Sequence, residues 1–187
     1  MKSLNKNLLK NLVSSKRNFS SQIKIKLAPV QGSSELDVSS FPTETTTTPE
    51  ELLEYFKTMT LYRRVEYAAD DLYKQKQIRG FCHLYIGQES VALGMHEGST
   101  YEDCLITAYR EHCQALSRGN NVHELLAEMM GKFTGATKGK GGSMHYYNKK
   151  NNFYGGHGIV GAQIPMGTGL AFALKYKKKQ NACFTMY

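Results

Sequence analysis

Residues 153–169 read FYGGHGIVGAQIPMGTG, and this stretch limits the possible folds more than any other in the chain. Six glycines fall within it, yet Ile159, Val160, Ala162, Ile164, Pro165 and Met166 are apolar, which is not the composition of a solvated linker. Glycine this dense among apolar residues implies backbone in unusual φ/ψ, or backbone approached closely by another group. Two readings stay open here: a ligand lying against bare main chain, or a tight buried junction between a loop and a helix. One apparent motif is set aside. Residues 156–161 fit G-x-G-x-x-G, but that fingerprint requires a hydrophobic strand before it and an acidic residue about 20 positions later. YYNKKNN (146–152) is a poor strand, and no Asp or Glu follows Glu128.

The 187 residues suffice for one domain with a real core. The net charge of +8 is unevenly spread. Residues 1–34 carry seven Lys/Arg and no acid, residues 35–128 hold all sixteen acids, and residues 129–187 carry nine Lys and no acid. The first block is Ser-rich, with Leu4, Leu8 and Leu12 at helical spacing opposite Lys2, Lys6 and Lys10. Residues 1–30 therefore read as a mitochondrial transit peptide and arm, with a processing pattern at RNFS (17–20) that leaves a mature start near Ser20. No apolar run is long enough to span a membrane. The basic charge shows no aromatic-basic recognition pattern, so a nucleic-acid role is not expected. Cys82, Cys104, Cys113 and Cys183 form no C-x-x-C pair, the histidines form no H-x-x-x-H pair, and no zinc site is expected.

Residues 31–48 read as a Ser/Thr-rich linker, and residues 49–187 as the start of a larger domain. Thr48-Pro49-Glu50-Glu51 predicts a capped helix start, with the helix running to about Arg79 and stopping at Gly80. Leu52, Phe56, Met59, Tyr62, Val65, Ala69 and Leu72 stripe one face of it. His83 sits in the short connection FCHLY (81–85), before a helix over 88–97. A buried strand is expected over 104–107. Tyr109-Arg110 follows it, where α/β sheets bind ligands and where an Arg can hold an anion. A pairing of Arg110 with Glu111 or Asp103 is the alternative. Asn121 and Glu124 predict a capping box for a helix that ends at Gly131. GKFTGATKGKGGS (131–143) fails the Walker A spacing, leaving either a basic loop over an anion or a solvated loop. A helix over 162–179 and a buried strand over 182–187 complete the chain. Ending on a core strand, after an acid-free last third, reads as a fragment.

Four runs, IRGFCHLYIGQES (78–90), LITAYREH (105–112), KGKGGSMHYY (138–147) and FYGGHGIVGAQIP (153–165), together resemble the alpha subunits of the mitochondrial pyruvate dehydrogenase first component. With their linking helices they cover about residues 49–187. The resemblance implies an α/β thiamin diphosphate-binding fold, a parallel sheet flanked by helices, truncated after its first core strands. It implies pairing with a beta subunit as α2β2, the cofactor between subunits, oxidative decarboxylation of pyruvate, and acetyl transfer to a lipoyl-bearing acetyltransferase component in the mitochondrial matrix. Tyr109 and Arg110 match the pair that contacts the diphosphate. Gly158 and Val160 match positions whose backbone brackets the aminopyrimidine ring. His83 matches a histidine beside the reacting pyruvate that orients it or donates a proton, the ylide-forming carboxylate belonging to the beta subunit. The family's Mg²⁺ motif begins with Gly-Asp-Gly directly after the strand matching 182–187, so the metal ligands are expected in the missing C-terminal half, and this chain alone is expected to be inactive. The branched-chain 2-oxoacid enzyme and a non-catalytic truncated subunit docking on beta are the rival readings. The NKKNN spacer (148–152) departs from the family pattern.

Overall fold

The computed structural model describes residues 22–29 and 38–187; of the segment 1–30 read as transit peptide and arm, residues 1–21, the cleavage point included, and residue 30 lie outside the described residues. The chain divides into two compact units, Met1–Phe56 and Lys57–Tyr187. In the first, β1 (Ile23–Lys26) pairs antiparallel with β2 (Glu44–Thr47), Ile23 facing Thr47 and Lys26 facing Glu44. The IKIK alternation of β1 is a strand pattern. The threonines of β2 lack a hydrophobic period, yet their β-branched side chains suit a pleated ladder. The end of the segment read as a linker therefore carries regular structure.

Helix α1 (Pro49–Lys74) begins as its sequence demands. The Glu51 amide donates to Thr48 Oγ1 at 3.2 Å, and the Thr48 amide donates to Glu51 Oε2 at 3.1 Å, a reciprocal capping box. Its end differs from expectation. Lys76 adopts a left-handed φ of 59°, and the amides of Gln77 and Lys76 donate back to the carbonyls of Leu72 and Tyr73 at 3.0 and 2.9 Å. This is the Schellman closure, which usually uses glycine. Helix α5 (Gln163–Tyr176) closes the same way at Lys178, φ 55°, with Lys179 donating to Leu174 and Lys178 to Lys175, both at 3.0 Å. Both helices stop at a lysine-built turn, short of Arg79 and Lys179.

The second unit is built on a parallel sheet of order β4–β3–β5, where β3 is Cys104–Ala108, β4 Phe153–His157 and β5 Cys183–Thr185. β3 lies in the middle, and Cys104, Leu105, Ile106 and Thr107 are all buried. β4 is a correction: the glycine-dense stretch opens with a strand, not a loop. β5 is a second one, because its residues are half-buried and Tyr187 is 88 % exposed. Between the strands lie α2 (Glu89–Glu97), α3 (His112–Ser117) and α4 (Val122–Met129). The α4 capping box forms as predicted, Glu124 N to Asn121 Oδ1 at 2.8 Å and Asn121 N to Glu124 Oε2 at 3.0 Å.

Val65 and Ala69 of α1, Ala115 of α3, and Leu125 and Met129 of α4 bury against Leu105, Tyr146 and Phe153 in one core. The apolar stripe of α1 thus packs from Tyr62 onward, whereas Leu52 and Phe56 remain exposed. α5 packs on β3 and β5 instead. The approach is so close that a methyl group on Gly167 would overlap Thr185 Oγ1. Pro165 is tolerated in α5 because it stands in the first turn, where amides have no intrahelical partner. All four cysteines are free, and burial pushes the Cys113 thiol up. Among the described residues, no helix is long and apolar enough to cross a membrane.

Candidate functional site

The central strand decides what can meet. β3 and β4 run parallel with Ala108 beside His157, so Tyr109-Arg110 and Gly158 leave the sheet at the same end. That end is the carboxyl edge, where open α/β sheets hold ligands. The loop after α1 brings His83 to the same place. Its ring centroid lies 4.4 Å from that of Tyr109 and 5.8 Å from that of Phe81, nearly parallel to the latter. Arg110 Nη1 donates to the Leu84 carbonyl, tying the His83 loop to the strand end.

Neither alternative partner of Arg110 is engaged. Asp103 accepts from Thr100 N, Thr100 Oγ1 and Ala182 N at the opposite edge of the sheet. Glu111 turns inward, fully buried, accepting from Tyr146 N at 2.8 Å and Thr107 Oγ1 at 3.2 Å. A guanidinium has five N–H donors, and a carbonyl takes only one of them here. Burial, then the Arg110 charge, then His112, holds the His83 imidazole below its ordinary value, so it is neutral at pH 7.

A buried network fixes this corner. Glu66 accepts from the Tyr85 amide at 3.0 Å and from His112 Nδ1 at 2.9 Å, and His112 Nε2 meets Ser143 Oγ at 2.8 Å. Glu66, His112 and Ser143 are all buried, so this carboxylate–imidazole–hydroxyl chain is sealed from substrate and acts as a brace. The sequence reading did not single it out. Its one visible signal is Glu66 itself, a carboxylate one turn from Tyr62 on the apolar face of α1.

Four of the six glycines of the opening stretch meet protein groups, whereas Gly161 and Gly169 have open space beside them. Leu105 pairs with Phe153 but Thr107 with Gly156, so Tyr154 and Gly155 bulge opposite Ile106. Gly155 takes φ +80°, and a methyl there would overlap the Tyr146 carbonyl and the Tyr147 ring. A methyl on Gly156 would overlap the Glu111 carboxyl. Gly158 lies against His145, to whose Nε2 its amide donates at 3.1 Å. Ile159 and Val160 stand beyond, 78 % and 81 % exposed, at the rim. Val160 thus reaches this end of the sheet with its side chain in solvent. The dinucleotide fingerprint does have a strand before it, contrary to expectation, but still lacks the acid.

The lysine-glycine loop keeps Lys132, Lys138 and Lys140 exposed, but three of its amides are not free to wrap a phosphate. Buried Glu128 collects the amides of Thr137, Gly139 and Gly141 at 2.7, 2.9 and 2.7 Å, together with the Thr137 hydroxyl. Burial opposes the charge, but these hydrogen bonds outweigh it and hold the carboxyl below its ordinary value. The amides that would cradle a phosphate are already turned onto a carboxylate. On the outer side, Lys76, Arg79, Lys132 and Lys140 line a cleft of about 640 Å³. The NKKNN spacer closes as a tight hairpin, Asn148 bridging Phe153, with the Asn148 and Asn151 amides donating to the Arg118 carbonyl at 2.9 and 2.8 Å. Among the described residues, no group of three or more His, Cys, Asp or Glu converges to hold a metal ion.

The dehydrogenase E1 component family matches residues 57–187. The mitochondrial pyruvate dehydrogenase E1 component subunit alpha of Pisum sativum is 60 % identical over 142 residues, covering 76 % of this chain and 36 % of that protein. The Solanum tuberosum subunit of the same name is 61 % identical over 141 residues, 75 % of this chain and 36 % of that one. The Sminthopsis macroura subunit is 55 % identical over 146 residues, 78 % and 40 % respectively. The chain therefore spans little more than a third of the length of these relatives.

Proposed function

Because this chain belongs to the dehydrogenase E1 component family, we propose that it serves as part of a pyruvate dehydrogenase E1 alpha subunit in the mitochondrial matrix. Residues 1–30 act as the import signal and arm, 31–48 as a linker, and 49–187 as the N-terminal part of a thiamin diphosphate-binding domain. The partner is a beta subunit in an α2β2 assembly, and the acetyl acceptor is a lipoyl-bearing acetyltransferase component. The observation that carries the reading is Arg110: a guanidinium at the carboxyl edge of a parallel sheet, beside Tyr109 and His83, with no carboxylate partner among the described residues.

The residues present fit the cofactor's diphosphate end. Arg110 offers a planar fork of donors to two phosphate oxygens, which gives both charge and direction. Tyr109 packs on His83 and keeps the imidazole facing the strand end. Neutral His83 carries one donor and one acceptor nitrogen, enough to orient the carboxylate or carbonyl of pyruvate or to hold a proton at one nitrogen. The main chain of Gly158 and Val160 would hold the aminopyrimidine ring. Thiamin diphosphate supplies the electron sink that makes loss of the pyruvate carboxylate possible. Mg²⁺, a hard cation that takes carboxylate and phosphate oxygens, draws its protein ligands from outside residues 49–187.

Arg110→Lys separates charge from geometry. Lysine keeps the charge but loses the fork, and a charge-assisted hydrogen bond is worth about 1.5–3 kcal/mol, roughly ten- to a hundredfold in affinity. Titration of the alpha–beta assembly with thiamin diphosphate is expected to show that loss. An unchanged dissociation constant would mean that Arg110 serves only the Leu84 carbonyl.

A further inference from the structure

His145 lies within KGKGGSMHYY (138–147) but is not among the site residues named so far, and both its ring nitrogens are committed to main chain. Nδ1 lies 3.1 Å from the Gly141 carbonyl, which can only accept, so Nδ1 carries the proton. Nε2 is then the acceptor, and it takes the Gly158 amide at 3.1 Å. The ring also crowds Gly158: a methyl there would stand 3.1 Å from Nε2 and 3.2 Å from Cε1. A side chain at Gly158 would therefore require this imidazole to shift by a few tenths of an ångström.

The other end of the contact is anchored. The Gly141 amide donates to buried Glu128 at 2.7 Å, and a methyl on Gly141 would overlap the His145 carbonyl. A continuous path therefore runs from Glu128 through Gly141 and His145 to Gly158. It joins the lysine-glycine loop to the end of β4.

We propose that His145 is a positioning residue for the cofactor-binding main chain: by accepting the Gly158 amide it fixes the backbone that the proposed function sets against the aminopyrimidine ring. The proposal rests on the thiamin diphosphate reading above. It adds the side chain that holds this backbone in place.

The test uses the assembled alpha–beta protein with His145→Leu, which removes the acceptor, and His145→Gln, whose side-chain oxygen can take the place of Nε2. Hydrogen exchange at the Gly158 amide is followed without cofactor, and the thiamin diphosphate dissociation constant is measured separately. Leucine is expected to speed exchange and weaken affinity about fivefold, the range of one net hydrogen bond, and glutamine to restore both. Unchanged exchange in His145→Leu, or equal loss of affinity in both variants, overturns the proposal. Wild-type protein that fails to bind thiamin diphosphate overturns the functional reading and the ligand named here, whereas the exchange comparison reports separately on the His145–Gly158 bond.

Discussion

Glu128→Ala is expected to lower the stability of the chain by about 3–5 kcal/mol, with a melting temperature lower by roughly 10 °C. The carboxylate accepts three amides and a hydroxyl from one loop, and its loss leaves those donors without a partner beside the core. Hydrogen bonds to a charged group are worth about 1.5–3 kcal/mol each and do not add within one cluster, hence the range. The pH dependence carries the same signature. A carboxyl held below its ordinary value stabilises the fold above about pH 4.3 and gives that up as pH falls through the depressed value. Glu111 has the opposite sign: burial pushes its carboxyl well up, so it favours the fold at low pH and opposes it as pH rises. Urea melts from pH 3 to 7 are expected to show a steep acid limb in wild type and a flatter one in Glu128→Ala. The same acid limb in both would remove Glu128 as the organiser of the loop.

Gly155→Ala is expected to cost about 3–4 kcal/mol, and Gly161→Ala only about 1–2. Both glycines have left-handed φ, +80° and +86°, so both substitutions pay the backbone strain. Only Gly155 adds a collision, with the Tyr146 carbonyl and the Tyr147 ring, whereas nothing stands near Gly161. Chemical denaturation of the two variants side by side isolates the collision. Equal losses would mean that the β4 bulge relaxes without resistance.

Local signals carried much of the fold. The capping boxes at Thr48 and Asn121, the apolar run of β3 and the stop at Gly131 involve neighbours within a few residues, and each was legible. Helix ends at Lys76 and Lys178 were not, because lysine in a left-handed cap has no sequence mark. β4 was hidden by its own glycines, whose reasons lie at Tyr146, Tyr147 and Glu111 in other segments. Buried Glu66, Glu111 and Glu128 were equally invisible, since each carboxylate takes a backbone amide or imidazole partner 9 to 46 positions away. Of the candidate site, the resemblance named His83, Tyr109, Arg110, Gly158 and Val160. The register of β3 and β4 supplies the reason they share one end of the sheet. The braces behind them required the structure.

A crystal structure of the alpha–beta assembly with thiamin diphosphate and Mg²⁺ tests the central claim most directly. The diphosphate is expected at the carboxyl end of β3, with a phosphate oxygen about 2.8 Å from an Arg110 nitrogen. A diphosphate held instead in the cleft of Lys76, Arg79, Lys132 and Lys140 would contradict it.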